Sequence, residues 1–342
     1  MSSLNSRAPR AGAPAGERIT FSLVVPVYNN QGTLGGVIER VEHLARALPG
    51  PLETVYVVDG SPDGSLLLLR KLLQDSAYPA QLISLSRNFG SFAAIRVGMA
   101  AAGGDFVGVM SADLQEPEEL VRDMFLGLYE GGHDIVAGVR TARHDSVLSA
   151  ILARTFWMLY RRFVQRDIPP GGVDVFACTR EVARQVLAME ESHSSLLGLM
   201  YWIGFRRSEV PYVRLPRTEG KSSWSIKRRV RYMSDSVFSF TDLPITALVL
   251  CGAFGVVATL TGSVFVLAAW LIGRIHVSGY TPLMLVLLLS TSAVLLGLGI
   301  VGSYVWRTYE NSKERPGAIP MSQECFGPSG CELPSAGEDS AS

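Results

Sequence analysis

Residues 103–119, GGDFVGVMSADLQEPEE, hold the side chains of this chain best suited to chemistry. An apolar run, Phe106 to Met110, ends abruptly in a carboxylate and a carboxamide, Asp113 and Gln115. An acidic run opening at Pro117 then reads as the first turn of a helix. In an open α/β sheet, ligands sit beyond the carboxyl ends of the strands. A carboxylate and a neutral oxygen donor placed there suit a hard divalent cation, which can clamp a pyrophosphate. The plainer alternative is a strand that stops in a polar turn, with Asp113 as the cap of the next helix.

The elements that must position these groups follow from periodicity. Ile19 to Val27, Leu52 to Val58, Gln81 to Ser86 and Phe106 to Met110 are predicted strands. Helical stretches separate them at Leu34 to Leu48, Ser65 to Gln74 and Phe92 to Ala102. Such alternation predicts right-handed crossovers and a parallel sheet covered on both faces. Four loops then emerge on one edge: Tyr28-Asn29-Asn30, Asp59-Gly60-Ser61, Arg87-Asn88-Phe89-Gly90 and Ser111-Ala112-Asp113. None of the four is a GxGxxG or GxxxxGK[ST] loop, so phosphates bound here must be held by a metal and by arginines.

Composition bounds the partners. The chain has 342 residues, with 31 basic and 31 acidic side chains, so no global field draws it to nucleic acid. Leu243 to Ile272 and Ile275 to Trp306 carry no charged residue, and each exceeds the roughly 20 apolar residues that cross a bilayer. Lys227, Arg228, Arg229 and Arg231 precede the first segment, and Arg307, Lys313 and Arg315 follow the second. The positive-inside rule therefore predicts an integral inner (plasma) membrane protein with its N-terminal domain and both ends in the cytoplasm. Ser225 to Phe240 spaces Ile226, Val230, Met233, Val237 and Phe240 as an interfacial amphipathic helix. Glycines in the two spans, from Gly252 to Gly302, permit close packing within the hairpin or between protomers of a homo-oligomer. Met1 to Arg18 lacks an apolar core and reads as a disordered tail rather than a signal peptide. Cys178 and Cys251 are isolated, while Cys325 and Cys331 fall in a Pro/Gly/Ser-rich tail expected to be disordered.

Several motifs occur in order: VVPVYNN at 24–30, VVDGSPDGS at 57–65, SRNFG at 86–90, SADLQEPEE at 111–119 and VAGVR at 136–140. DVFACTR at 174–180, RTEGKSSW at 217–224 and a hairpin ending GSYVWRTYENSKERP follow. Across about residues 19–320, this order resembles the family 2 glycosyltransferases. The similar branch moves a sugar from a nucleotide onto a polyisoprenyl phosphate, as dolichol-phosphate mannose synthases and bacterial undecaprenyl-phosphate glycosyltransferases do. The resemblance implies a Rossmann-like nucleotide-sugar-binding domain of GT-A type at 19–224. A juxtamembrane helix at 225–242, two transmembrane helices at 243–306 and a cytoplasmic tail at 307–342 would follow. Pro26, Tyr28, Asn30, Asp59, Arg87, Asn88, Gly90, Ala112 and Asp113 would then bind the donor, with Asp59 accepting from the base. Asp113 and Gln115 would hold Mg²⁺ or Mn²⁺. Arg140 and Arg154 match phosphate-contacting arginines beside the acceptor, and Asp174 matches a catalytic-site aspartate. Arg217, Lys221 and Ser222 match a loop that folds over the phosphates.

The implied reaction is an inverting displacement at the anomeric carbon, from a uridine or guanosine donor to a lipid phosphate such as undecaprenyl phosphate. That acceptor is already largely ionised near neutral pH. Asp174 then orients rather than removes a proton, or simply caps a helix at Thr179 to Met189. The sequence departs from the family pattern at four places. Val58 and Ser111 replace aspartates, Asn30 stands where glutamate is frequent, and Ser223 stands where lysine is common. Loss of the first metal carboxylate predicts weaker metal binding, although Ser111 can still reach the ion directly or through water. The same departures motivate a second reading, a catalytically degenerate membrane scaffold or partner subunit. A processive polysaccharide synthase is a third, which the absence of a QxxRW motif disfavours.

Overall fold

The computed structural model describes residues 20–142, 158, 169, 173–189, 196–215, 243–272 and 280–327. The readings at 1–18 and 225–242, and at Arg154, Arg217, Lys221, Ser222, Ser223 and Cys331, lie outside the described residues.

Strand β1 (Phe21–Val27) shows how the sheet is covered on both faces. Phe21, Leu23, Val25 and Val27 alternate into one core and Val24 enters the other, all of them closed to solvent. β2 (Leu52–Val58) repeats the pattern, with Leu52, Tyr56 and Val58 on the first side and Val55 and Val57 on the second. β-branched residues suit a pleated surface buried twice over. β3 (Ala80–Leu85), β4 (Phe106–Val109), β5 (Ile135–Ala142), β6 (Val173–Thr179), β7 (Arg207–Val213) and β8 (Pro320–Phe326) complete one sheet. Its order is β7-β5-β6-β4-β1-β2-β3-β8. β1 pairs in parallel with β2 and β4, β2 with β3, and β5 with β7. β6 and β8 run against their neighbours. The other six strands therefore point one way, and the expected mostly parallel α/β fold is present.

Helices close both faces. On the first, α1 (Leu34–Ala47) buries Leu34, Val37, Val41 and Leu44, and α2 (Ser65–Leu72) buries Leu69. α4 (Glu118–Tyr129) adds Leu120, Val121, Met124, Phe125 and Leu128 to that core. On the second, α3 (Ser91–Ala101) packs Ala94, Ile95 and Met99, and α5 (Arg180–Leu187) packs Val182, Ala183 and Val186. The short α6 (Leu196–Trp202) completes that face with Leu196 and Met200. Buried there too is Cys178, whose thiol is pushed up to about 12 by burial and is correspondingly inert.

Both capping alternatives fall. Pro117 begins α4 without any side-chain cap, and Thr179, not Asp174, caps α5 by accepting from the Val182 amide at 3.4 Å. A further correction concerns residues 307–342. Helical structure continues to Ser312, and Pro320–Phe326, with Cys325 inside it, forms β8 rather than a disordered tail. β8 pairs antiparallel with β3 and is pinned by a two-pronged Arg70–Glu324 ion pair and a Gln323–Gln81 amide contact. As an edge strand it needs few apolar residues, and its partner lies far off in sequence, so local patterning does not announce it.

Two long helices, α7 (Leu243–Leu271) and α8 (Tyr280–Ser312), occupy a unit distinct from the sheet. Among the described residues no helix is long and apolar enough to cross a membrane, so the spanning role rests on the charge-free sequence alone.

Two outcomes follow from this packing. A Cβ at Gly98 would lie 2.3 Å from Val24 Cγ1 and 3.2 Å from Val57 Cγ2. Gly98→Val should therefore cost about 1–3 kcal/mol through overpacking, read as a lower denaturant midpoint. The hydrogen bond from Arg70 holds the half-buried Glu324 carboxyl below its ordinary value. A lowered carboxyl contributes stability that is complete above the ordinary glutamate value, about 4.3, and fades as pH falls through the lower folded value. Protection of the β8 amides, taken relative to the intrinsic exchange rate at each pH, should fall over that acid range, and Glu324→Gln should remove that fall.

Candidate active site

The loops that leave β1, β2, β3 and β4 are tied to one another by specific hydrogen bonds. Thr33 and Asn30 both reach the Ala112 carbonyl, through Oγ1 at 2.6 Å and Nδ2 at 3.3 Å. Thr33 precedes α1 but makes no cap bond there, because its hydroxyl is directed to the β4 loop. Asn30 also accepts from the Tyr28 amide at 3.0 Å, which closes the β1 loop on itself. Asn29, in the left-handed region at φ 55°, donates its amide to Ser61 Oγ at 2.8 Å and so joins the β2 loop. Gln31 extends this seam, its amide donating to Asp63 and its side-chain oxygen accepting from Gly64. Partial burial works to raise the Asp63 carboxyl. Hydrogen bonds from the Ser61 hydroxyl and from the Ser65 and Gln31 amides outweigh it and hold the group low.

Asp59 joins the β2 and β3 loops. It is buried, and its two carboxylate oxygens accept from the Phe89 and Gly90 amides at 2.7 and 2.8 Å. Gly90 is the residue before α3, so this carboxylate caps the positive amino end of that helix from another strand. Gly60 allows the approach. Its φ is +55°, and a Cβ there would fall 2.3 Å from the Arg87 carbonyl carbon. Arg87 is exposed and stacks its guanidinium 4.0 Å over the Phe89 ring, while Asn88 reaches the Asp59 carbonyl at 3.4 Å. Asp59, which the sequence reading assigned to the base, thus has both oxygens engaged by backbone. Val58, at the position of a family aspartate, is packed in the first core.

The β4 loop carries the acidic cluster. Ser111 Oγ lies 2.7 Å from Asp113 Oδ1 and 2.5 Å from Glu116 Oε2. Leu114 turns the chain at φ +57°, an uncommon conformation for leucine, with its side chain packed over Gly36 of α1. Gln115 is nearly buried. Its amide nitrogen donates to the Leu215 carbonyl at 3.2 Å, and the Leu215 amide returns a bond to the Gln115 carbonyl at 2.8 Å. That strap brings Arg214, just beyond β7, to 3.6 Å from Asp113, with its Nε buried and without a partner among the described residues. The donors at 111, 113, 115 and 116 are all oxygens, which fits a hard divalent cation and no soft one.

Strand direction adds the remaining candidates. Arg140 lies at the carboxyl end of β5, opposite Tyr212 of β7. Asp174 lies at the start of the reversed strand β6, where the β5 register shifts between Gly138 and Val139. Both positions fall on the edge that carries the four loops. The Asp174 side chain lies outside the described residues. Pro26 and Tyr28, at the end of β1, are half-buried on the same edge. Thr33, Glu116 and Arg214 were not singled out from sequence. Thr33 reads as an ordinary helix cap, Glu116 as one acid in a solvated run, and Arg214 as one of nine basic residues between Arg206 and Arg231.

The chain belongs to glycosyl transferase family 2, whose family model matches residues 22–188, and it is a glycosyltransferase. An uncharacterized glycosyltransferase of Synechocystis sp. is 30% identical over 87% of this chain and 93% of its own. An undecaprenyl-phosphate 4-deoxy-4-formamido-L-arabinose transferase of Yersinia pestis is 30% identical over 86% and 90%. Among solved structures, mannosyl-3-phosphoglycerate synthase from Rubrobacter xylanophilus overlaps 64% of this chain and 72% of its own. The overlap is at 17% identity and a TM-score of 0.43.

The Asp59 bridge is testable by itself. Asp59→Asn keeps the shape but turns an N–H₂ toward a backbone N–H. It should cost about 1–3 kcal/mol by leaving buried donors unsatisfied, read as a lower melting temperature of the purified protein.

Proposed function

We propose that this glycosyltransferase moves a sugar from a nucleoside diphosphate to a polyisoprenyl phosphate at the cytoplasmic face of a membrane. The observation that carries the reading is the cross-linking of four strand-end loops. Asn30 and Thr33 on Ala112, Asn29 on Ser61 and Asp59 on the α3 terminus build one polar edge with an acidic cluster at its centre. The Yersinia relative, named for an undecaprenyl-phosphate acceptor, supports the acceptor class.

In this reading the anomeric carbon loses its bond to the diphosphate oxygen and gains one to an oxygen of the lipid phosphate, with inversion. Asp113 and Gln115 would hold Mg²⁺ or Mn²⁺, which when bound neutralises charge on the departing diphosphate. Arg214 and Arg140 would pair their guanidinium forks with phosphate oxygens. The acceptor needs no strong base, so the role left for Asp174 is to orient.

Anchoring rests on the two charge-free segments and their basic flanks. The return of β8 to the sheet is consistent with it. The chain leaves the sheet unit and rejoins it, so a bilayer excursion between must cross an even number of times. A cytoplasmic location and a homo-oligomer packed through the glycines belong to the same proposal.

The test is a screen of uridine and guanosine diphosphate sugars with undecaprenyl phosphate, read by mass spectrometry of the lipid product. Transfer should depend on Mg²⁺ or Mn²⁺ and be lost with chelator. Asp113→Ala should lower turnover by about a hundredfold or more, and full activity in that variant would overturn the metal clamp. The missing carboxylate at Ser111 favours a second reading, a non-catalytic subunit, which predicts no transfer from any donor.

A further inference from the structure

We propose that Glu116 supplies the second carboxylate of the cation site, in place of the one that position 111 lacks. This rests on the metal-assisted reading above and assigns this chain's own donors within it. Ser111 Oγ lies within 2.7 Å of Asp113 Oδ1 and 2.5 Å of Glu116 Oε2, so a single hydroxyl bridges two carboxyl groups. One hydroxyl proton can be donated in only one of those directions. The result is a small all-oxygen cluster of the kind a hard divalent ion holds at about 2.0–2.6 Å.

Glu116 is also in an unusual place. It is 2% exposed, while the next two acids, Glu118 and Glu119, face outward. The local backbone explains how it gets there. The left-handed turn at Leu114 reverses the chain, and Arg40 grips the Glu116 carbonyl at 2.5 Å. Together these bring residue 116 back over residue 111. From the other side Arg214 stands 3.6 Å from Asp113 and balances part of the charge of the cluster. Five positions after the serine, Glu116 restores the negative charge that Ser111 removes.

If Glu116 were only an acceptor for the Ser111 hydroxyl, glutamine would serve equally well. Binding of Mn²⁺ alone to the purified full-length protein, read from the paramagnetic resonance signal of the free ion, separates the two roles. Glu116→Gln should weaken binding about ten- to hundredfold. Adding Ser111→Asp to that variant should bring affinity back close to the wild-type value. Wild-type affinity in Glu116→Gln overturns the assignment, as does a folded double variant that stays as weak as the single one. Where Glu116→Gln does not fold, the double variant decides alone: folded and Mn²⁺-binding supports the assignment, folded and non-binding overturns it. Asp113→Asn distinguishes the two levels. If it binds as the wild type does, or if the wild type binds no Mn²⁺, the metal-assisted reading itself fails. If only Asp113→Asn loses the ion, the role of Glu116 alone is refuted.

Discussion

Six strands pointing one way leave their carboxyl ends, and the backbone groups just beyond them, on a single edge. Those groups have no ladder partners, and buried amides and carbonyls left unpaired are costly. Here they find partners in the neighbouring loop rather than in their own. The Ala112 carbonyl takes two side-chain donors from the β1 loop, and the Asp59 carboxylate takes two amides from the β3 loop. The site is thus built from cross-loop bonds within the protein itself. Such preorganisation is what lets fixed dipoles and charges stabilise a leaving group at little reorganisation cost.

The same edge explains how the family departures are tolerated. Val58 sits in the core beside Tyr56, where a carboxylate would be stripped of water. Ser111 loses a charge from a strand end, but the turn at Leu114 carries another carboxylate onto it. Arg214 balances the cluster from the β7 side, and the Gln115–Leu215 strap holds it there. A change in one loop is therefore read through partners in the others. The polar edge of this chain is held by the set of loops, not by any one motif.

Much of the sheet was legible in the sequence for physical reasons. β2 is recovered residue for residue, because the run from Leu52 to Val58 is β-branched and aromatic and ends at a turn sequence. β4 is one residue shorter than its apolar run, since Met110 is apolar yet already past the ladder. That Asp59, Asp113 and Gln115 lie just past strand ends was legible, but not their partners. Nothing local says that the amino end of α3 faces Asp59, or that Leu215 straps Gln115. Glu116 was hidden by its neighbours: in EPEE all three acids read alike, and only the turn at Leu114 separates the buried one from the exposed two. β8 escaped because an edge strand needs few apolar residues and borrows its order from a remote partner.

That remote pairing fixes a sequence of events in biosynthesis. Gln323 pairs with Ile83 across a separation of about 240 residues, and Arg70 must wait for Glu324. A nascent chain exposes β3 as an unfinished edge until β8 has been made. Unpaired edges of this kind are prone to associate with one another. The sheet is therefore completed only after both long helices have been made. Any truncation that spares every residue of the site but removes the last strand leaves that edge open for good.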